Sequence, residues 1–204
     1  MREQDIRRAL RQCLTERYGQ ESDTLILDEL GICQGAVRID MAVVNGALHG
    51  YEIKSERDTL ARLPHQQVTY SKVFDEVTIV VGPTYLPCIR DHVPAWWGIV
   101  LAVPDRVGST KLVTKRKAKR NPQVDAYSLA QLLWRDEVLD LLSENCSLDG
   151  LRSKPRKLLW QALADQLPLN DLRSKVREKL VSRTKWRSGA SPTQDDARCP
   201  PCAM

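Results

Sequence analysis

The chain has 204 residues, a formal net charge of +5, a hydrophobic fraction of 42% and a charged fraction of 28%. These values are typical of a soluble globular protein. No run of about 18 apolar residues occurs, so we expect no membrane-spanning helix. The N-terminal stretch "MREQDIRRALRQCL" lacks the apolar core of a signal peptide, which predicts a cytoplasmic location. The six cysteines are scattered, which favours reduced thiols over a disulfide framework.

Helices and strands are predicted to alternate over the first 121 residues. The first element is a helix over 4–18, because apolar residues recur at helical spacing on one face and Gly19 follows. The later elements are a strand at 24–30, a hairpin at 36–44 and 47–54, a helix at 59–74, a strand at 76–82, a short helix at 83–92, a strand at 96–104, and a strand at 111–121 that ends as a basic run. The β-branched run at 76–82 is typical of a buried parallel strand.

The character of the sequence changes after residue 121. Three leucine-rich helices are predicted at 128–144, 155–167 and 169–186, and a disordered tail at 188–204. This order predicts an α/β fold, with a mixed β-sheet flanked by helices and a C-terminal helical extension. We therefore expect a domain at 1–121, a basic helical subdomain at 122–187 and the tail at 188–204.

Charge is distributed unevenly along the chain. Residues 1–105 hold 11 basic and 15 acidic side chains, whereas residues 106–187 hold 19 basic and 9 acidic ones. A basic half of this kind can mark a nucleic-acid surface, and it is also compatible with solvated amphipathic helices. The charge pattern alone leaves both interpretations open.

The hairpin "RIDMAVVNGALHGYEIKS" carries charged residues among apolar ones. Because side chains alternate along a strand, Glu52 and Lys54 share one face. The apolar residues expected together on the core-facing side are Ile39, Met41, Val43, Tyr51 and Ile53. This arrangement predicts that Asp40 lies on the polar face with Glu52 and Lys54.

The length of the hairpin loop has to agree with this phase. A two-residue Asn45–Gly46 loop turns Asp40 towards the apolar face. A three-residue loop over 44–46, a type I turn with a Gly bulge, pairs Val43 with Ala47 and returns Asp40 to the polar face. We therefore predict the three-residue loop.

The polar face of the hairpin indicates hydrolytic chemistry. Two adjacent carboxylates repel each other unless a cation balances them, and hard oxygen ligands fit Mg²⁺ or Mn²⁺. An ammonium group beside them can orient an attacking water or stabilise charge that develops on a phosphate. The combination is what phosphodiester hydrolysis needs. The alternative is a surface salt bridge on an exposed sheet face.

Two further features follow the same chemistry. Asp28 and Glu29 end the strand before the hairpin, where a third carboxylate can enter the metal shell. The stretch "QQVTY" puts Gln66 and Tyr70 at i and i+4 on one helix face. From there, Gln66 can reach a metal-bound water or the scissile phosphate.

With Asp40, the "EIK" of 52–54 and the preceding Glu29, the chain resembles the PD-(D/E)XK nucleases, the restriction-endonuclease-like superfamily. The resemblance covers about residues 5–105. "QQVTY" is similar to the QxxxY motif of RecB-type nucleases in that superfamily, and a longer stretch resembles a set of uncharacterised bacterial proteins placed there. One position departs from the pattern, because Ile39 stands where proline is frequent.

The resemblance implies a restriction-endonuclease-like fold and Mg²⁺- or Mn²⁺-dependent hydrolysis of DNA. The metal ligands that it implies are Asp40, Glu52, the backbone carbonyl of Ile53 and, as an auxiliary ligand, Glu29. Lys54 is expected to position or activate the nucleophilic water. Gln66 and Tyr70 are expected to support the site and the DNA backbone. A nuclease fold that binds DNA or a protein without catalysis is a second hypothesis, and a purely structural α/β domain is a third.

Other segments are weaker candidates for function. The DNA contacts that we predict are Arg57, Lys115, Arg116, Lys117, Lys119 and Arg120. The basic run is equally compatible with an edge strand guarded by lysines. The "CPPC" at 199–202 lacks the second ligand pair that zinc needs. The sequence contains no Gly-rich phosphate-binding loop, so we do not expect an NTPase. The expected partners are DNA and, in a homodimer, a second copy of the chain.

Overall fold

The computed structural model describes residues 1–105, 108–145, 148 and 150–183. The helices in these ranges are α1 (Glu3–Tyr18), α2 (Leu63–Ser71), α3 (Ile89–His92), α4 (Ala126–Ala130), α5 (Arg135–Asn145), α6 (Arg156–Gln166) and α7 (Leu169–Ser182). The strands are β1 (Leu25–Ile32), β2 (Val37–Val44), β3 (Leu48–Lys54), β4 (Glu76–Val81), β5 (Gly98–Pro104) and β6 (Thr110–Arg116). The predicted tail at 188–204, with its "CPPC", lies outside the described residues.

The strands form one mixed sheet in chain order, from β1 to β6. Neighbours β3 and β4, and β4 and β5, run parallel, and the other neighbouring pairs are antiparallel. Parallel neighbours need a crossover connection, which α2 supplies between β3 and β4. The predicted α/β class is confirmed, with a mixed sheet flanked by helices and a C-terminal helical part. No helix in the described part of the chain is long and apolar enough to cross a bilayer.

Both faces of the sheet are covered. On one face, α1 packs through Ile6, Leu10 and Leu14, which recur every four residues along the helix. On the other face, a larger apolar cluster joins the strands to α2 and to the C-terminal helices. That cluster includes Leu172 and Val176 of α7, so the sheet and the C-terminal helices share one core. The boundary at residue 121 stays a prediction.

The predicted core face of the hairpin is wrong for Ile39 and right for the other four apolar residues. Those four pack with α1, whereas Ile39 packs in the larger cluster, where its Cδ1 would collide with a Cβ added at Gly50. The change of face lies beside Glu29 of β1, whose φ of 55° is in the left-handed region. Because both faces are buried, an apolar side chain can turn to either one, and strict alternation does not hold.

The hairpin loop has three residues, as predicted, but it lies one residue further along the chain. Val44 pairs with Leu48, and the loop is 45–47. The Asn45 side chain closes it, because its Oδ1 accepts the backbone N–H of Ala47 at 3.1 Å. Gly46 is not among the residues with positive φ, so the predicted Gly bulge is wrong. The asparagine side chain, rather than a left-handed glycine, holds this turn.

Three predicted helices have different bounds in the structure. The helix expected at 83–92 is a 3₁₀ helix at Pro83–Tyr85 followed by α3. The helix expected at 128–144 is broken into α4 and α5, which are separated by residues 131–134. Each of the two helices has its own cap: Asp125 accepts the N–H of Ser128 at 2.8 Å, and Glu137 accepts the N–H of Trp134 at 2.7 Å. The apolar pattern continues across the break, which hides it in the sequence. The helix expected at 59–74 begins later, at Leu63.

Candidate active site

Glu52 and Lys54 form a buried ion pair at the end of β3. Lys54 Nζ lies 2.7 Å from Glu52 Oε1, and the two side chains are 6% and 3% exposed. The alternative of a salt bridge on an exposed sheet face is therefore wrong. Removing two charges from water is costly, and a buried pair is poor evidence for stability on its own. Such pairs, in a setting of other polar side chains, are found at functional sites.

Helix α2 fixes the carboxylate of Glu52 with two further hydrogen bonds. Gln66 Nε2 donates to Glu52 Oε1 at 2.6 Å, and the Tyr70 hydroxyl donates to Glu52 Oε2 at 2.7 Å. Gln66 and Tyr70 reach it together because they are one helical turn apart. Burial and the charge of Glu52 raise the pKa of Tyr70, which keeps the hydroxyl protonated as a donor. These contacts bring Gln66 and Tyr70 together with Glu52, and their roles towards a metal-bound water and DNA stay predictions.

Asp40 lies beside this pair on the neighbouring strand. The β2–β3 backbone pairs run from Val44 opposite Leu48 to Met41 opposite Tyr51, the residues next to Asp40 and Glu52. Asp40 Oδ2 accepts the backbone N–H of Ile53 at 2.7 Å. Burial and the charge of Glu52 raise the pKa of Asp40 to about 6. The two carboxylates therefore interact electrostatically, as the sequence predicts.

A residue that the sequence did not indicate completes the surroundings of Asp40. Arg7 of α1 donates from Nη2 to Asp40 Oδ1 at 2.6 Å and from Nη1 to the Asp40 backbone carbonyl at 2.9 Å. Its Nη2 also lies 2.7 Å from Glu3 Oε1. A local signal existed, because Glu3 and Arg7 have the i, i+4 spacing of a helical ion pair. Nothing in that signal points to Asp40, which is 33 residues away.

The raised pKa of Asp40 predicts a pH dependence of stability. The ordinary value is 3.8, so the folded protein holds this proton more tightly than the unfolded chain does. Free energy of unfolding should therefore fall as pH rises from about 4 to about 6, by on the order of 3 kcal/mol from this group. We expect Asp40→Asn to remove that fall in metal-free urea unfolding between pH 4 and 7.

The matched control for this prediction is Asp28→Asn. Asp28 is on β1, is half exposed and forms an ion pair with Arg11 of the same helix α1 at 2.8 Å. This variant should keep the pH dependence of the wild type. If Asp40→Asn and the wild type show the same slope over this range, Asp40 does not titrate as the structure implies.

The structure does not bring Glu29 and Arg57 together with these residues. Glu29 is half exposed and lies 3.3 Å from Arg38, rather than beside Asp40 or Glu52. Arg57 is exposed in the connection between β3 and α2. The roles of Glu29 as an auxiliary metal ligand and of Arg57 as a phosphate contact stay predictions. They need movement of the side chain or of the DNA.

The basic run lies at a distance from Lys54. Lys54 pairs with Val81 of β4, which pairs with Leu101 of β5, whereas Arg116 pairs with Ile99, nearer the start of β5. The run is therefore three strands away and towards the opposite end of the sheet. Arg116 itself donates to the carbonyls of Trp97 and Pro94 at 2.7 and 2.8 Å. The exposed members of the run are Lys115, Lys117, Lys119 and Arg120.

The donor atoms at this site fit a hard divalent cation. Asp40, Glu52 and the carbonyl of Ile53 offer oxygen ligands, which Mg²⁺ and Mn²⁺ prefer. Gln66 Oε1 is buried and has no hydrogen-bond partner among the described residues, which marks an acceptor that a cation or water can use. The described ranges hold no group of three or more His, Cys, Asp or Glu residues placed to bind a metal. A cation here would therefore rest on two carboxylates and neutral oxygens.

Comparisons with known proteins relate the chain to one described family. The family described as Bacteriophage P4 protein cII matches residues 1–191. Protein cII of Enterobacteria phage P4 is 29% identical over 191 residues, which are 94% of this chain and 69% of that protein. A solved structure of a protein of unknown function from Silicibacter pomeroyi has 13% identity and a TM-score of 0.44, and the match covers 95% of this chain and 98% of the other.

Proposed function

The chain belongs to the bacteriophage P4 protein cII family, and we propose that it is a metal-dependent DNA nuclease within that family. The observation that carries the proposal is the buried Glu52–Lys54 pair with Asp40 beside it, where Asp40 accepts the N–H of Ile53. Two acids and a lysine on adjacent strands also support membership of the PD-(D/E)XK superfamily. These charges are costly to bury, and each of them has a role in phosphodiester hydrolysis: the acids bind the metal, and the lysine contacts the water or the phosphate.

In the proposed reaction, Asp40, Glu52 and the Ile53 carbonyl would hold Mg²⁺ or Mn²⁺. When bound, the cation supplies positive charge that offsets the negative charge developing on the scissile phosphate. Lys54 has three N–H donors, of which one contacts Glu52. The others can hold the attacking water and stabilise the phosphate oxygens.

Gln66 and Tyr70 act as positioning residues in this scheme. Both donate to Glu52, so the carboxylate has one orientation when a cation arrives. Tyr70 also contacts the Arg38 carbonyl at 3.0 Å, which ties α2 to β2. Their contacts hold the Glu52 carboxylate in place, and a fixed ligand is what preorganisation requires.

DNA is the proposed substrate and partner. The exposed basic run after β6 supports binding to a phosphate backbone, although it lies three strands from Lys54. Arg57, close to Lys54 in sequence, is proposed as the nearer phosphate contact.

Cleavage assays with site variants test the proposal. Single-stranded, nicked and branched DNA are incubated with Mg²⁺ or Mn²⁺ and with wild type, Asp40→Ala or Lys54→Ala. We expect EDTA to abolish cleavage and each substitution to slow it by about 100-fold or more. Asp140→Ala, at an exposed position of α5, serves as the control and should cleave like the wild type. Equal rates in all four proteins would contradict the proposal.

A module that binds DNA without cleaving it is the second candidate. Two observations favour it: Arg7 already neutralises Asp40, and the exposed basic run is remote from Lys54. This candidate predicts DNA retention that falls steeply with salt, and no cleavage that depends on a metal. Cleavage that EDTA abolishes would exclude it.

A further inference from the structure

Arg7 occupies the carboxylate oxygen of Asp40 that the backbone leaves open. Asp40 Oδ2 is taken by the Ile53 N–H, and Oδ1 is taken by Arg7 Nη2 at 2.6 Å. Arg7 also donates to the backbone carbonyl of Asp40, so the guanidinium makes two hydrogen bonds to this residue. Asp40 and Arg7 are 22% and 24% exposed, which limits screening of the contact by water.

We propose that Arg7 is a latch on α1, which holds Asp40 in the metal-free protein and must release it before a divalent cation binds. The inference rests on the proposed function, because it concerns the same site. A guanidinium on Oδ1 and a cation sharing that oxygen are like charges at close range, and the two states exclude each other.

The structure provides a second position for the released guanidinium. Arg7 Nη2 already lies 2.7 Å from Glu3 Oε1, one turn earlier on α1. Rotation of the Arg7 side chain away from β2 breaks the contacts to Asp40 and can keep the one to Glu3. The helix itself need not move, because Ile6, Leu10 and Leu14 remain buried against the sheet. The latch is therefore a side-chain movement on a fixed helix.

Calorimetric titration of the full chain with Mn²⁺ and with Mg²⁺ tests the latch without any activity assay. The proteins compared are wild type, Arg7→Ala and Arg11→Ala. Arg11 is the matched control, since it is one turn further along α1 and pairs with the exposed Asp28. We expect Arg7→Ala to bind the cation about five- to tenfold more tightly than wild type, because the competing ion pair is lost. Arg11→Ala should bind within about twofold of wild type.

Two further measurements secure the test. Arg7→Gln keeps much of the side chain and a hydrogen-bond donor but loses the charge, so it should also bind the cation more tightly than wild type. It keeps the test decisive if Arg7→Ala does not fold. The rise in melting temperature on adding Mn²⁺ should likewise be larger for both Arg7 variants than for wild type, since tighter binding to the folded state stabilises it more.

The outcomes separate the latch from the function on which it rests. Cation binding of equal or lower affinity in the Arg7 variants, with wild type binding normally, overturns the latch and leaves the proposed function standing. Cation binding in none of the proteins, at millimolar Mg²⁺ and Mn²⁺, overturns both. Tighter binding in the Arg7 variants alone supports the latch.

Discussion

Glu52→Gln is expected to lower the free energy of unfolding by about 3–5 kcal/mol, because it leaves the Lys54 ammonium buried without its counter-ion. The two side chains are 3% and 6% exposed, so water replaces little of the lost interaction. Glu52 also accepts hydrogen bonds from Gln66 and Tyr70. An amide at this position presents N–H groups to some of these donors. Urea unfolding of the metal-free protein, monitored by circular dichroism, measures the change.

A double-mutant cycle isolates the Glu52–Lys54 pair. Lys54→Met removes the charge and keeps the length of the side chain. We expect the double variant Glu52→Gln/Lys54→Met to lose about 1–3 kcal/mol less than the sum of the two single variants, because neither charge is then left alone. The same cycle on the exposed Arg11 and Asp28 should give a coupling of about 0.5 kcal/mol or less. Strict additivity at Glu52 and Lys54 would show that the pair is not energetically coupled.

Asp75→Ala is expected to lower the free energy of unfolding by about as much as Glu52→Gln, because it also leaves buried partners without a counter-ion. Asp75 is 6% exposed and accepts the N–H of Leu48 at 2.9 Å. Arg173 Nε of α7 lies 3.0 Å from its Oδ1, an ion pair without hydrogen-bond geometry, and Arg177 lies 3.5 Å from its Oδ2. Removing Asp75 leaves the buried N–H of Leu48 without its acceptor and the two guanidinium groups without this counter-ion. The expected loss is about 3–5 kcal/mol.

Thermal unfolding checks the Asp75 prediction. For a chain of this size, such a loss corresponds to a fall in melting temperature of about 10 °C. Asp140→Ala is the matched control, since Asp140 also pairs with α7, through Lys179 at 3.4 Å, but is 67% exposed. That variant should change stability by no more than about 1 kcal/mol. A similar melting temperature for both variants would mean that burial of Asp75 does not strengthen its contacts.

The predictions from sequence succeeded where the determining pattern is local. The strands follow from short β-branched runs, and the shared face of Glu52 and Lys54 follows from their spacing by two. The odd hairpin loop follows from the requirement that apolar residues face inward, and its residues 45–47 were missed by one position because the Asn45 side chain closes the turn.

Features that depend on distant parts of the chain were not predictable in this way. Ile39 packs on the second buried face of the sheet. The alternation argument assumes that one face is buried and the other exposed, so it cannot predict this position. Arg7 meets Asp40 across 33 residues, and it stands in a helix with several other arginines that the sequence does not distinguish. The pairing of Asp75, just before β4, with Arg173 of α7 joins distant parts of the chain that no local pattern relates.

The core shared by the sheet and α7 bears on how the chain folds during synthesis. The last strand ends at Arg116, whereas α7, which helps to cover the sheet, ends at Ser182. At about 5–20 residues per second, a ribosome needs roughly 3–13 seconds to make the stretch between them. Over that interval one face of a nascent sheet lacks part of its apolar cover. Completion of the native fold therefore follows the emergence of α7, and a chaperone that shields apolar surface has its main opportunity on this protein before then.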